Sequence, residues 1–318
     1  MTVLIGHDEA WASWRSAMQG QRMHHAWLLA GGRGLGKAGF ALAAAAELVA
    51  EEGVPQPEAL AHPDIMLLER PPATSDDEKK REEGKPFNRK RNISVDQIRA
   101  MQRRLTTRPT LGARRAIIID SADDLEKSAV NALLKSLEEP PAGCFFLLVA
   151  HRPGGLLPTV RSRCRQLRFH ALSDERLAQV LAEQKPDAPA ELRQAAIDAA
   201  QGSPGAALAF IEDELAPIAR ELRAIMRQGD PDFTRRGALA AAIGARPDRE
   251  RLLASVRLAR EICAEQARHA PRAHQMRLID THDRLVRLGA EIPYANFDPG
   301  LTVVEIGGLL AGAAAPKS

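Results

Sequence analysis

Over the first half of the chain, short unbroken apolar runs alternate with stretches whose apolar residues recur at helical spacing. Trp11, Trp14 and Met18 make residues 8–20 an amphipathic helix with its aromatic stripe in a core. The runs Ala26–Ala30, Ile65–Leu68, Ile117–Ile119 and Cys144–Val149 are too short for helices. Their composition suits strands covered on both faces, as in a parallel sheet, and residues 165–169 would add a fifth. Between the runs lie an Ala-rich helix (Ala41 to Ala50) and a helix carrying Val95, Ile98, Met101 and Leu105. A third carries Val130, Leu133, Leu134 and Leu137 and is stopped by Pro140-Pro141. Ser94 and Gln97 have the spacing of a capping box.

From about residue 171 the strand pattern disappears. Ser173 can cap a helix, and Gly202 and Gly205 flank another cap and helix start. Leu252, Val256, Leu258 and Ile262 predict one long amphipathic helix, with Pro217, Pro231 and Pro247 as punctuation. The expected architecture is a five-stranded parallel α/β domain over 1–170, a small helical domain over 171–213 and an all-α domain over 214–318, with Ala311–Ser318 disordered. Residues 71–92 break the pattern. Seven basic and five acidic side chains fall between Asp76 and Arg91, which predicts an exposed or disordered insert. Its basic end, Lys85, Arg89, Lys90 and Arg91, is a candidate contact for DNA or a partner, with a solvated loop as the default.

Chemistry enters where the first strand meets its helix. Gly31-Gly-Arg-Gly-Leu-Gly-Lys37-Ala38 follows the phosphate-binding pattern G-x-x-x-x-G-K up to its last position. Gly31, Gly34 and Gly36 let backbone N–H groups turn toward phosphate, and Lys37 would reach the terminal phosphates. Ala38 stands where a Ser or Thr hydroxyl would hold magnesium, and a methyl group cannot. The loop therefore reads as one that keeps the fold and has lost part of its ligand. Asp120 ends the third strand, where ligands of open α/β sheets bind; it is either a metal-facing acid or a cap of the next turn.

Composition narrows this only modestly. The 318 residues are 45% hydrophobic, enough for two to three domains. A net charge of +3, with Arg ahead of Lys, permits DNA contact without arguing for it. No run of 18 apolar residues exists, so no membrane span is expected, and Met1–Asp8 lacks a basic-then-apolar leader pattern. Cys144, Cys164 and Cys263 are too far apart for a disulfide framework or metal spacing, which fits a reduced cytoplasm. His62, His151, His269, His274 and His282 read as turn, loop or solvated residues rather than ligands.

The block Asn131–Pro141, with Ser162-Arg163-Cys164 and the glycine loop, resembles the clamp-loader branch of the AAA+ proteins, and within it the delta-prime family of bacterial DNA polymerase III. The resemblance is good to about residue 215 and positional beyond it. It implies a helical lid for 171–213 and an oligomerising collar for 214–318. It also implies partners of the gamma/tau and delta types, a sliding clamp and primed DNA. Relatives often carry a four-cysteine zinc module in the bridge 51–64; no cysteine stands there, so no zinc is expected. An active AAA+ site has Glu at the position of Ser121, a phosphate-sensing Thr or Asn near Ala150, and often a nucleotide-touching Arg where Pro204-Gly205 stands. With Ala38, their joint absence implies no ATP hydrolysis by this chain, vestigial ATP binding at most, and no required cofactor. In this family the Arg of Ser-Arg-Cys reaches ATP on a neighbouring subunit, which implies that Arg163 is an arginine finger acting in trans; the alternative is a local ion pair. The chain would then make no nucleotide bonds itself, although its complex is classed with DNA-directed DNA polymerases. Two rival readings are an ATP-hydrolysing gamma/tau-like motor subunit and a DNA-binding AAA+ protein outside replication.

Overall fold

The computed structural model describes residues 5–20, 23–292 and 297–314, and the chain divides into two compact units, Met1–Leu172 and Ser173–Ser318. Residues 1–4, where the leader question begins, and the tail 315–318 lie outside the described residues.

The first unit contains α1 (Asp8–Gln19), β1 (Ala26–Ala30), α2 (Lys37–Val49), β2 (Ile65–Glu69), α3 (Ser75–Glu82), α4 (Val95–Leu105), β3 (Arg115–Asp120), α5 (Lys127–Glu138), β4 (Cys144–Ala150), α6 (Pro158–Arg161) and β5 (Arg165–Arg168). The five strands form one parallel sheet in the order β2-β3-β4-β1-β5. Side chains alternate across it. Ile117 and Ile119 join the core under α4 and α5, with Ile98, Met101, Leu133 and Leu137. Ala116 and Ile118 join the opposite core with Trp14, Phe40, Ala41 and Leu48 of α1 and α2. Both faces are therefore covered, which is why the strand runs read as continuously apolar. The edge strand β5 differs: Arg165, Gln166 and Arg168 are exposed, and charged side chains suit an unpaired edge. The capping box forms, with Ser94 Oγ accepting from Gln97 N and the Gln97 side chain accepting from Ser94 N.

A buried ion pair closes the end of the sheet opposite the strand C-termini. Asp64 accepts from Thr110 N at 2.7 Å, Leu111 N at 2.8 Å and Arg115 Nη2 at 3.3 Å. Burial alone would raise the Asp64 pKa, but the Leu111 and Thr110 amides and the Arg115 guanidinium outweigh it and hold the carboxyl below the ordinary 3.8. Arg115 in turn donates to the carbonyls of Arg104, Thr107 and Arg108.

The insert is more ordered than its composition predicts. Thr74 caps α3, Asp77 is buried and accepts from Thr74 and from Asn88 N, and Pro72 pairs with Arg89 in an antiparallel bridge. Residues 71–92 therefore fold back as a pinned hairpin around a helix. Its order comes from polar contacts across the hairpin rather than from an apolar stripe, and periodicity cannot reveal those.

In the second unit α7 (Asp174–Gln184), α8 (Ala190–Ala200) and α9 (Pro204–Glu212) pack on one another. α10 (Ala216–Gln228), α11 (Thr234–Ile243), α12 (Arg249–His269), α13 (Arg272–Glu291) and α14 (Pro299–Ala313) follow. The long helix α12 buries Leu252, Val256, Leu258 and Ile262. Two expectations are corrected here. Residues 311–313 are helical rather than disordered. His274 is half-buried and donates through Nε2 to the Ala313 carbonyl at 2.6 Å, a contact between helices far apart in sequence.

Candidate functional site

β1 runs into the glycine loop, and α2 opens at Lys37. Gly34 and Gly36 hold φ angles of 77° and 80°, a left-handed backbone that a Cβ disfavours. Gly31 lacks a Cβ for another reason: one placed there would lie 2.3 Å from the Phe169 carbonyl oxygen. Gly31 N also donates to the Ala150 carbonyl at 3.2 Å, and Phe169 N to the Ala30 carbonyl at 2.8 Å. The loop is thus stitched to the ends of β4 and β5 before any ligand is considered.

Lys37 is only 2% exposed. Its Nζ donates to the Gly31 carbonyl at 2.7 Å and to the Gly32 carbonyl, so two of its three donors are taken by the loop. Burial pushes its pKa down to about 8; Asp120 and Asp123 pull the other way, and Arg33 adds to the depression.

Asp120 lies at the end of β3, and the turn that follows opens at Ser121. Burial raises its pKa, Glu69 reinforces that, Lys37 opposes it, and Asp124 and Arg33 make smaller contributions of opposite sign. The other acids at this end are compensated. Glu69, beside Asp120 in the β2–β3 register, pairs with Arg89 of the insert at 2.8 Å. Asp124 pairs with Arg70 at 3.2 Å and accepts from the Ser121 hydroxyl at 3.1 Å. Asp123 accepts from His151 N at 2.6 Å and Arg152 N at 2.9 Å, tying the turn after β3 to the end of β4. His151 lies in the loop after β4 and is half-buried. Burial, then Lys37 and Arg33, push its pKa down to about 4, and its Nδ1 is buried without a hydrogen-bond partner.

This arrangement suits phosphate better than it suits magnesium. The left-handed glycines and buried Lys37 form a cradle for an anion. For a metal, Ala38 offers a methyl, Ala150 has no polar side chain, and the Ser121 hydroxyl is committed to Asp124. Among the described residues, no group of three or more His, Cys, Asp or Glu is placed to hold a metal ion.

Arg163 occupies a second region, just after α6. Its Nη1 donates to the Thr159 carbonyl at 3.0 Å, and its Nη2 meets Glu138 Oε1 at 2.6 Å at the end of α5. The local ion pair weighed from sequence is therefore present. It leaves the side chain one-third exposed and does not exhaust the guanidinium's five donors. The neighbouring Cys164 thiol is pushed up to about 12 by burial and behaves as a small apolar residue. Glu138 as the partner of Arg163 was not visible in the sequence: it stands inside the block Asn131–Pro141, but nothing local marks the pairing.

A family model described as DNA polymerase III, delta subunit, matches residues 6–173, a little over half of the chain. The delta-prime subunit of DNA polymerase III from Pseudomonas aeruginosa is 34% identical over 205 residues, covering 59% of this chain and 56% of that protein. The delta-prime subunit from Escherichia coli is 36% identical over 129 residues, covering 41% and 38%. The chain spans about half or less of the length of these curated relatives. A solved structure, a DNA polymerase III gamma subunit-related protein from Thermotoga maritima, superimposes over 96% of this chain and 99% of that one, with a TM-score of 0.55 at 17% identity. That likeness concerns the fold alone, a parallel α/β sheet domain followed by helices. The chain belongs to the DNA polymerase III delta-subunit family of clamp-loader AAA+ proteins and is delta-prime-like.

Proposed function

We propose that this chain is a clamp-loader subunit of the delta-prime type that does not itself hydrolyse ATP. It acts as a fixed arm, with residues 171–213 as lid and 214–318 as oligomerising collar. It donates Arg163 to ATP held by a gamma/tau-type neighbour. Together with that neighbour and a delta-type subunit, it helps to open a sliding clamp and load it on primed DNA in the cytoplasm. One observation carries the proposal. Around Lys37 the groups that hold magnesium and position water in phosphoryl transfer are replaced by Ala38, Ser121 and Ala150, while Arg163 stands part-exposed just after the short helix α6. A planar, permanently charged guanidinium suits the spread charge of a transferring phosphoryl group.

The glycine loop then serves mainly to fasten β1 to β4 and β5, with vestigial ATP binding through Lys37 and no cofactor required. The test is turnover of ATP with magnesium by the isolated chain. No turnover is expected. Metal-dependent turnover that disappears with Lys37→Ala would favour the motor-subunit reading instead. The reading as a DNA-binding AAA+ protein outside replication predicts salt-sensitive DNA affinity of the chain alone. The basic end of the insert supports it weakly, since Arg89 and Lys85 are already paired with Glu69 and Glu83.

A further inference from the structure

The contact that holds Arg163 has the features of a resting position. The guanidinium is held at two points, a carbonyl in the short helix that precedes it (Thr159 of α6) and a carboxylate at the end of α5 (Glu138). Glu138 sits on a firm platform. The adjacent Leu137 is buried, its carbonyl accepts from His25 Nε2 at 2.9 Å, and Pro140-Pro141 follow the C-cap Glu139. Yet Glu138 is a poor choice for α5 itself. Glu138 and Glu139 stand at a helix C-terminus, where the backbone dipole is already negative, and Lys135 is the one basic residue of the last turn. The acid is better accounted for by Arg163 than by its own helix.

The pair is also wet, with side-chain exposures of 33% and 49% for Arg163 and Glu138. Solvated ion pairs are weak and exchange readily, whereas a buried one would lock the finger in place. A finger neutralised by a carboxylate stabilises little developing charge on phosphate, so the carboxylate has to be left before the arginine can act.

We propose that Glu138 is a positioning residue for Arg163: it keeps the guanidinium neutralised and oriented at rest, and surrenders it to the terminal phosphate of ATP on the neighbouring subunit. The step exchanges one anionic partner for another, with no covalent change. The inference rests on the trans role proposed for Arg163.

Glu138→Gln tests it, because it removes the charge and keeps the shape. ATP turnover would be measured in a reconstituted clamp loader, without DNA and clamp and with both. The expected result is a rise of about 2–5-fold in the DNA-free rate, the scale set by a solvated ion pair, with the stimulated rate unchanged. Glu138→Asp, too short to reach as far, gives an intermediate rise. In an Arg163→Ala background, Glu138→Gln has no effect, a dependence that a merely structural role would not show. An unchanged DNA-free rate with Glu138→Gln, while Arg163→Ala still lowers turnover, overturns the inference and leaves the finger standing. A fall in the stimulated rate also overturns it, since Glu138 would then support the engaged state. Loss of any effect of Arg163→Ala takes down the finger itself, and this inference with it.

Discussion

The glycine loop around Lys37 and the segment around Arg163 belong to the same α/β unit and differ in what their polar groups are doing. At the loop, polarity has turned inward. Lys37 bonds to the loop's own carbonyls, the Ser121 hydroxyl to Asp124, and Asp123 to two backbone amides. Near Arg163 the guanidinium stays one-third exposed, held by the Glu138 carboxylate and the Thr159 carbonyl. The proposed function reads this difference as one site of a nucleotide-binding fold retired and another kept. The first can be absorbed into the architecture because its glycines pack strands. Under the same proposal the second acts on a neighbour, because an arginine needs no metal, water or base of its own.

This comparison can be broken at several points, and the largest effect is expected where neither region is touched. Asp64→Ala leaves Arg115 buried without its counter-ion, and should lower stability by about 3–5 kcal/mol in denaturant unfolding. Because the pair lies at the opposite end of the sheet, both regions should suffer together; selective loss of one would mean that the two are not held by a common frame. The wild-type pair has its own pH signature. The folded Asp64 pKa lies below the unfolded 3.8, so its contribution is present above that value and is lost as pH falls through the folded pKa.

Gly31→Ala comes next. A Cβ 2.3 Å from the Phe169 carbonyl forces backbone to move, at a cost of about 1–3 kcal/mol in thermal or chemical unfolding without nucleotide. A neutral substitution would show that the loop is not an architectural part and would restore the case for a working ligand site.

A smaller effect concerns charge at Lys37. Its pKa of about 8 means that triphosphate binding by the chain, measured by titration calorimetry, should weaken as pH rises through about 8, where the ammonium is lost. Affinity that holds steady to pH 10 would exclude Lys37 as the anion partner. A separate pH effect belongs to His151. Its folded pKa of about 4 lies below the ordinary 6.5, so the unfolded chain binds the proton first and stability falls as pH drops from about 6.5 to 4. His151→Asn should flatten that slope in urea unfolding curves, and an unchanged slope would place the titration elsewhere.

Much of the fold could be read from local pattern. Ile117–Ile119 is covered on both faces because each residue meets a different layer of helices, and an unbroken apolar run reports that directly. The capping box at Ser94 and Gln97 was equally visible, since both partners lie within one turn. The glycine loop announced itself by spacing, and the departure at Ala38 by a single methyl. What local pattern does not mark is held by polar contacts between residues far apart in sequence. The insert's helix depends on Asp77 reaching Asn88, and the sheet's closed end on Asp64 meeting Arg115. The neutralised acids beside Asp120 depend on Arg70 and Arg89, and the local ion pair of Arg163 on Glu138. One sequence has no period that marks such pairs. They become legible only when the strands bring them together.

The central claim, that the chain contributes through Arg163 and not through Lys37, is tested most directly by ATP turnover of a reconstituted clamp loader on primed DNA with its clamp. Arg163→Ala and Lys37→Ala in this chain would be compared with the unaltered protein. The account predicts a loss on the order of 10³–10⁵ at the neighbouring site that the finger serves, seen as the disappearance of its share of turnover, and little change with Lys37→Ala. Equal collapse with Lys37→Ala, or no loss with Arg163→Ala, would contradict it.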